Sequence, residues 1–312
     1  MRLVSFSTSN IPQVRVGLVQ KEEVLDVDLA ARALNIIPRE QMLDLLDHQS
    51  EGMATLRSLL EKAHGRPFSE VRTFVNIGAV HELASVQLAA PIPRPRKNIM
   101  CMGRNYYDHA IESYRAHGQE RPQEDAPVIF TKATTTVCGP YDTIVIDPTV
   151  SDKIDWEVEL AVVIGRTGKN ISEDEALSYV FGYTVLNDIT ARDLQDKFKQ
   201  FFKGKSLDGS CPLGPWIVTA DEIPDPQQLT VRLRVNGVLK QESHTSDMIY
   251  PVKTIISILS QGMTLEPGDI IATGTPGGVG FARNPPEFLK AGDVMETEID
   301  GIGMLRNEVI TL

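Results

Sequence analysis

The run Asp155-Trp156-Glu157-Val158-Glu159-Leu160-Ala161-Val162-Val163-Ile164 sets two carboxylates two positions apart at the start of an apolar stretch. In an extended chain Val158, Leu160 and Val162 point to one face and Glu157, Glu159 and Ala161 to the other, with the carboxylates about 7 Å apart. For Glu-x-Glu alone, a solvent-facing strip on an edge strand is the plainer reading. The other reading is a pair of hard oxygen ligands for Mg2+, Mn2+ or Ca2+. The unbroken apolar run that follows argues for an interior strand, where unpaired carboxylates are costly. Asp188 closes a second apolar run. By itself it reads as an N-cap for the turn at Thr190–Gln195. With Glu157 and Glu159 it would complete a three-carboxylate cation site.

A second constellation lies in Gly103-Arg104-Asn105-Tyr106-Tyr107-Asp108-His109-Ala110-Ile111-Glu112. On a helix, His109 and Glu112 stand at i and i+3, within reach of each other. They are either a surface charge pair or a histidine oriented by a carboxylate, a general base suited to neutral pH. The polar stretch Ala116–Ala126 behind them, with Gly118 and Pro122, could be a lid. Lys205 lies in a turn-rich stretch that could aim it at an anionic intermediate. The run from Ala272 to Gly280 has neither a Walker lysine pattern nor a strand–loop–helix dinucleotide setting. A tight turn bringing backbone and the Thr275 hydroxyl close to a small acid fits it better.

These residues need a scaffold, and 312 residues suit one main domain with a smaller appendage. Alternating prolines in Pro91-Ile92-Pro93-Arg94-Pro95 make 91–97 an extended connector. Before it, residues 1–90 read as a small α+β appendage, with strands at Val14–Val19 and Val24–Val27 and helices around Gln41–Leu46 and Ala54–Lys62. After it, 98–312 is strand-rich, with fewer helices (Tyr106–Arg115, Glu173–Tyr179, Val252–Gln261). The expected class is mostly β with α (α+β), a folded or barrel-like sheet rather than a doubly wound domain. The formal charge of −11 disfavours nucleic acid and anionic lipid as partners. No window approaches the roughly 20 apolar residues of a membrane helix. The polar first residues do not make a signal peptide, and three scattered cysteines suit neither a disulfide framework nor zinc. A soluble, cytoplasmic protein acting on a small molecule is expected.

Taken in order, four blocks resemble the fumarylacetoacetate hydrolase family, particularly its shorter acylpyruvase-like branch. They are Gly103-Arg104-Asn105-Tyr106 with Asp108-His109 and Glu112; Glu157-Val158-Glu159-Leu160; Asn187-Asp188 with Thr190-Ala191-Arg192-Asp193 and Gln195; and Gly268-Asp269-Ile270-Ile271 with Thr273-Gly274-Thr275-Pro276. The resemblance runs from about Asn98 to Leu312. It implies a mixed β-sandwich roll around Mg2+ or Mn2+, usually in a homodimer. It implies Glu157, Glu159 and Asp188 as metal ligands and His109 with Glu112 as a lid dyad. Arg104, Tyr106, Gln195 and Thr275 would bind substrate, and Lys205 would act on its developing charge. No counterpart of the namesake hydrolase's extra Asp ligand is found. The implied reaction is hydrolysis of a C–C bond in a 2,4-dioxo acid, releasing pyruvate as its enolate. Decarboxylation of an oxaloacetate-like acid or isomerisation of a 2-oxo acid would use the same site, and a sugar-acid or ureidoglycolate lyase is a further alternative.

Overall fold

The computed structural model describes residues 1–37, 41–47, 51–118 and 126–312. The alternating and continuous apolar runs form two large sheets, and a two-stranded ribbon pairs Ile154–Asp155 with Thr190–Ala191. The larger has twelve strands. Its main path runs Val80–Glu82, Glu23–Asp26, Ile11–Gln20, Arg2–Thr8, Cys211–Thr219, Val180–Asn187, Val158–Ile164, Ile270–Ala272, Ile99–Gly103, Val128–Lys132. The smaller has five, in the order Val238–His244, Thr230–Val235, Val294–Ile299, Gly303–Thr311, Ile144–Ile146. Both are open, so among the described residues the fold is a mixed α+β sandwich without a closed barrel.

Alternation assigns the two faces of the large sheet. Val158, Leu160, Val162 and Val185 pack against Val231, Leu233, Met295 and Leu305 of the small sheet, with Ile255, Ile256 and Leu259 of helix Val252–Ser260 closing the same core. Ala161, Val163, Phe181 and Leu186 face the other way, into a second core with Leu3, Leu18 and Leu25 and with Leu56 and Leu59 of helix Glu51–Ala63. Every residue of Val158–Ile164 is buried, as the interior reading of that strand required.

The first strand pairs with Cys211–Thr219, Arg2 opposite Val218 and Leu3 opposite Ile217, so the sheet is continuous between residues 1–90 and the later chain. One expected element differs: Gln41–Leu46 holds only a single 3-10 turn, Met42–Asp44. Cys211–Thr219, where no strand was expected, is a nine-residue strand buried except at Trp216. Of the expected lid, Ala116 ends helix Tyr107–Ala116, and 119–125 lie outside the described residues.

Candidate active site

The paired strands Val158–Ile164 and Val180–Asn187 carry the acidic cluster at one shared end. Glu159 lies opposite Leu186, and just beyond the ladder the Asp188 N–H donates to the Glu157 carbonyl at 2.9 Å. Glu157 and Asp188 therefore sit side by side on the face that bears Glu159. One oxygen from each of Glu157, Glu159 and Asp188 falls within 4.8 Å of the others, and all three residues are buried.

Positive groups brace the cluster from behind. The Lys205 ammonium donates to Glu157 Oε2 at 2.6 Å and to Asp188 Oδ2 at 2.7 Å. Lys132, the last residue of its strand and fully buried, pairs with Asp188 Oδ1 at 2.8 Å. Arg192 reaches Glu157 Oε1 at 2.7 Å and Asp155 Oδ2 at 2.9 Å, and its guanidinium lies over the Phe281 ring. Asp155 also accepts the N–H groups of Gly280 and Phe281, which fixes the loop after residue 274 to the start of the acidic strand. Among the described residues Glu159 meets one donor, the Gly274 N–H at 2.7 Å.

Charge follows from this wiring. Burial alone would favour the neutral acid, but Lys205 and Arg192 prevail and hold the Glu157 carboxyl down at about 2. The same ions work in reverse on Lys205. Burial opposes its charge, and Asp188 and Glu157 keep its ammonium protonated. Glu159 is less well supported: burial, then Asp188 and Glu157, outweigh Lys205 and the Gly274 N–H and push its carboxyl well above the ordinary range. With all four buried carboxylates (Asp155, Glu157, Glu159, Asp188) ionised, they would outnumber the three buried cations (Lys132, Arg192, Lys205) by one. A hard divalent cation is the group that an all-oxygen cluster of this charge fits.

Beside the cluster, helix Tyr107–Ala116 presents His109 on its buried side. His109 Nδ1 and Glu112 Oε1 are 3.0 Å apart, and Glu112 is in turn held by the Gly278 N–H at 2.9 and 3.0 Å. The dyad is thus part of the interior wiring rather than a surface ion pair. Nδ1 is committed to Glu112, which leaves Nε2 as the nitrogen available for proton exchange.

His109, Glu157, Glu159, Lys205, Gln195, Thr275 and Arg104 line one cleft with Phe130, Phe201 and Phe281. Gln195 accepts a hydrogen bond from Arg192, and Thr275 Oγ1 accepts one from Gln241. Arg104 stacks on Tyr114 and donates to its hydroxyl at 2.6 Å. Tyr106 is placed differently from the expectation that it binds substrate. Its side chain belongs to the apolar core between the sheets and is absent from the cleft wall. Asp188 is not an N-cap, since helix Arg192–Lys197 starts at Ala191 with no side-chain cap.

Two glycines permit this closeness. Gly274 has φ +99°, and a Cβ there would meet Asn105 Cβ at 2.7 Å. Gly204 lets the turn Phe202–Lys205 press on its neighbour, because an added Cβ would lie 2.5 Å from Gln195 N and 2.7 Å from the Ala191 carbonyl. Both contacts are backbone and cannot swing away. Gly204→Ala is therefore expected to cost about 1–3 kcal/mol of stability and to displace Lys205. Chemical denaturation checks the first effect and turnover the second; unchanged values for both would show that the turn adapts freely.

Asp155, Arg192, Lys132 and Gln241 were not among the expected site residues. Arg192 stood in a quoted block without a role. Asp155 and Lys132 carried only the weak signal of a charge bordering an apolar strand.

The fumarylacetoacetate (FAA) hydrolase C-terminal family model matches residues 98–310. The chain belongs to the fumarylacetoacetate hydrolase family. Oxaloacetate tautomerase YisK of Bacillus subtilis (strain 168) is 45% identical over 298 residues, 94% of this chain and 95% of that protein. The mitochondrial oxaloacetate tautomerase fahd2 of Xenopus laevis is 41% identical over 312 residues, 99% of this chain and 90% of that one. Among solved structures, maleylpyruvate hydrolase of Sphingobium sp. SYK-6, in complex with manganese(II) and pyruvate, superposes with a TM-score of 0.75 at 30% identity, covering 100% of this chain and 99% of that one. Within the fumarylacetoacetate hydrolase family, an acidic triad able to bind a metal ion is therefore a feature of this chain, and no helix among the described residues is long and apolar enough to cross a membrane.

Proposed function

We propose that this enzyme is a divalent-metal-dependent isomerase of small 2-oxo acids, interconverting the keto and enol forms of an oxaloacetate-like dicarboxylate. The carrying observation is the shared cleft, whose wall holds an imidazole fixed by Glu112 together with Glu157 and Glu159, two members of a buried three-carboxylate cluster. Relatives over nearly the full length that are named oxaloacetate tautomerases support this choice among reactions that could use such a site.

A divalent ion held by Glu157, Glu159 and Asp188 would supply positive charge to the carboxylate and keto oxygens of a 2-oxo acid and so acidify the adjacent C3 hydrogens. His109 takes the C3 proton on Nε2, and Glu112 steadies the resulting imidazolium. The proton then goes to the former keto oxygen, giving the enol with no net gain or loss of atoms. The reverse path returns it to C3. Lys205 offsets the negative charge that develops on oxygen. The three phenylalanines limit water in the cleft, and Arg104, Gln195 and Thr275 offer polar contacts to the substrate. Cytoplasmic action and homodimeric assembly belong to the same proposal, on the scattered free thiols and the family resemblance respectively.

Hydrolysis of an acylpyruvate is the second reading, favoured by the same dyad, which could activate water, and by the likeness to a maleylpyruvate hydrolase. The test is a parallel assay with Mg2+ or Mn2+. Oxaloacetate enol is followed by its ultraviolet absorbance, and products from oxaloacetate, acylpyruvates and ureidoglycolate are followed by mass. Faster keto–enol equilibration without loss of total oxaloacetate is expected. Two acids from an acylpyruvate at a higher rate, carbon dioxide from oxaloacetate, or glyoxylate from ureidoglycolate would each replace the proposal.

A further inference from the structure

Asp155 is fully buried and absent from the cleft wall, and it belongs to neither the acidic triad nor the dyad. A buried carboxylate requires a full set of donors, and Asp155 has one. The N–H groups of Gly280 and Trp156 donate to Oδ1 at 2.7 and 2.8 Å. Arg192 Nε and the Phe281 N–H donate to Oδ2 at 2.9 and 3.0 Å. The ribbon with Thr190–Ala191 places Asp155 opposite Thr190 and so beside Arg192. The approach of the loop requires glycine: a Cβ on Gly280 would lie 2.6 Å from Asp155 Oδ1 and 2.1 Å from the Glu287 carbonyl.

These bonds link Asp155 to both halves of the site. Through Arg192 it reaches the cluster, since the same guanidinium lies 2.7 Å from Glu157 Oε1. Through the loop it reaches the dyad. Gly274 at one end of that loop donates to Glu159, and Asp155 holds Gly280 and Phe281 at the other. Between them the Gly278 N–H supports Glu112, the partner of His109. The Trp156 indole, next to Asp155, donates to the Gly278 carbonyl at 3.3 Å, so the same strand steadies the middle of the loop. A catalytic group misplaced by about 1 Å can lose on the order of 10²-fold in rate. We propose that Asp155 is a positioning residue: from outside the cleft it aligns His109 with the acidic cluster, and so with the C3 hydrogen of a bound 2-oxo acid. The inference rests on the proton-transfer reading above and adds the residue that aligns its base.

The test is a double-mutant cycle on the full chain with Mn2+. It combines Asp155→Asn with Glu112→Ala, which removes the side chain that Gly278 holds. Thermal melts and Mn2+ calorimetry accompany the kinetics. Asp155→Asn is expected to lower kcat for keto–enol interconversion by about 10²-fold, with KM little changed and Mn2+ still bound. In the Glu112→Ala background the same substitution should cost far less, because the loop then has no dyad to align. Equal losses in both backgrounds would reduce Asp155 to a structural role and overturn the inference. Amide exchange on wild type decides the matter if Asp155→Asn does not fold. The Gly280 and Phe281 amides should be strongly protected, and free exchange at both would overturn the inference. Wild type that binds Mn2+ and protects these amides, yet leaves keto–enol equilibration unaccelerated, would instead defeat the proton-transfer reading itself.

Discussion

His109→Ala is expected to lower the proposed keto–enol interconversion by about 10²–10⁴-fold, the usual cost of a lost general base, while the protein still binds Mn2+. The imidazole is bonded to Glu112 and contributes no ligand to the three-carboxylate cluster, so cation binding and proton transfer are separable in this cleft. Stopped-flow measurement of enol decay gives the first quantity and calorimetry the second. Glu112→Gln should show a smaller loss, because Gly278 would still hold the side chain but the charge facing the ring would be gone. A control comes from thermal melts, in which His109→Ala should match wild type. Loss of folding or of Mn2+ binding together with the activity would mean that His109 supports the helix rather than moving a proton. Undiminished tautomerisation in the variant would place the base elsewhere.

Chelation is expected to abolish turnover, and Mg2+ or Mn2+ to restore it to wild type but not to Glu159→Gln. This carboxylate gives the sharper test because it has the weakest compensation within the chain. Its folded-state pKa is raised, so the folded protein binds more protons here than the unfolded chain does. The associated stability is fully present below the ordinary carboxylate range and is lost as pH rises through the raised value. Metal-free wild type should therefore lose thermal stability toward neutral pH, and Glu159→Gln should lose less. A saturating ion adds the opposite effect, about 2.7 kcal/mol at a hundredfold excess over Kd, and only wild type should gain it. Thermal melts with chelator and with Mn2+ measure both. Full activity in chelated protein, or the same gain in Glu159→Gln, would exclude Glu159 as a ligand.

The alternation around Glu157 and Glu159 was legible because a strand's period is two and the flanking residues are apolar on both faces. Asp188 and the His109–Glu112 spacing were legible for the same local reason. What the chain did not disclose depends on residues far apart in sequence. Lys132 matters only because the Val128–Lys132 strand ends beside Asp188, and Arg192 only because Asp155 and Glu157 converge on it. Tyr106 shows the limit of carrying a role by motif, since its neighbour Asn105 ties the segment to Thr273 and Tyr250 while the Tyr106 ring turns into the core. The strand at Cys211–Thr219 was hidden by prolines that normally interrupt pairing. Here Thr184 Oγ1 donates to the Gly214 carbonyl, and the partner strands supply the rest of the ladder.

That hidden strand also governs the order in which the molecule can be assembled. Arg2–Thr8 can form its hairpin with Ile11–Gln20 almost as soon as both emerge from the ribosome, but on its other edge Ser5–Ser7 wait for Gln87–Ala89, and Arg2 and Leu3 wait for Val218 and Ile217. During that interval the growing chain exposes an apolar edge containing Leu3 and Val4, a template for mispairing with another nascent chain. Pairings this distant in sequence also slow the search for the native arrangement. Refolding yield should accordingly fall with protein concentration, and a factor that shields this edge until Thr219 is made should recover it.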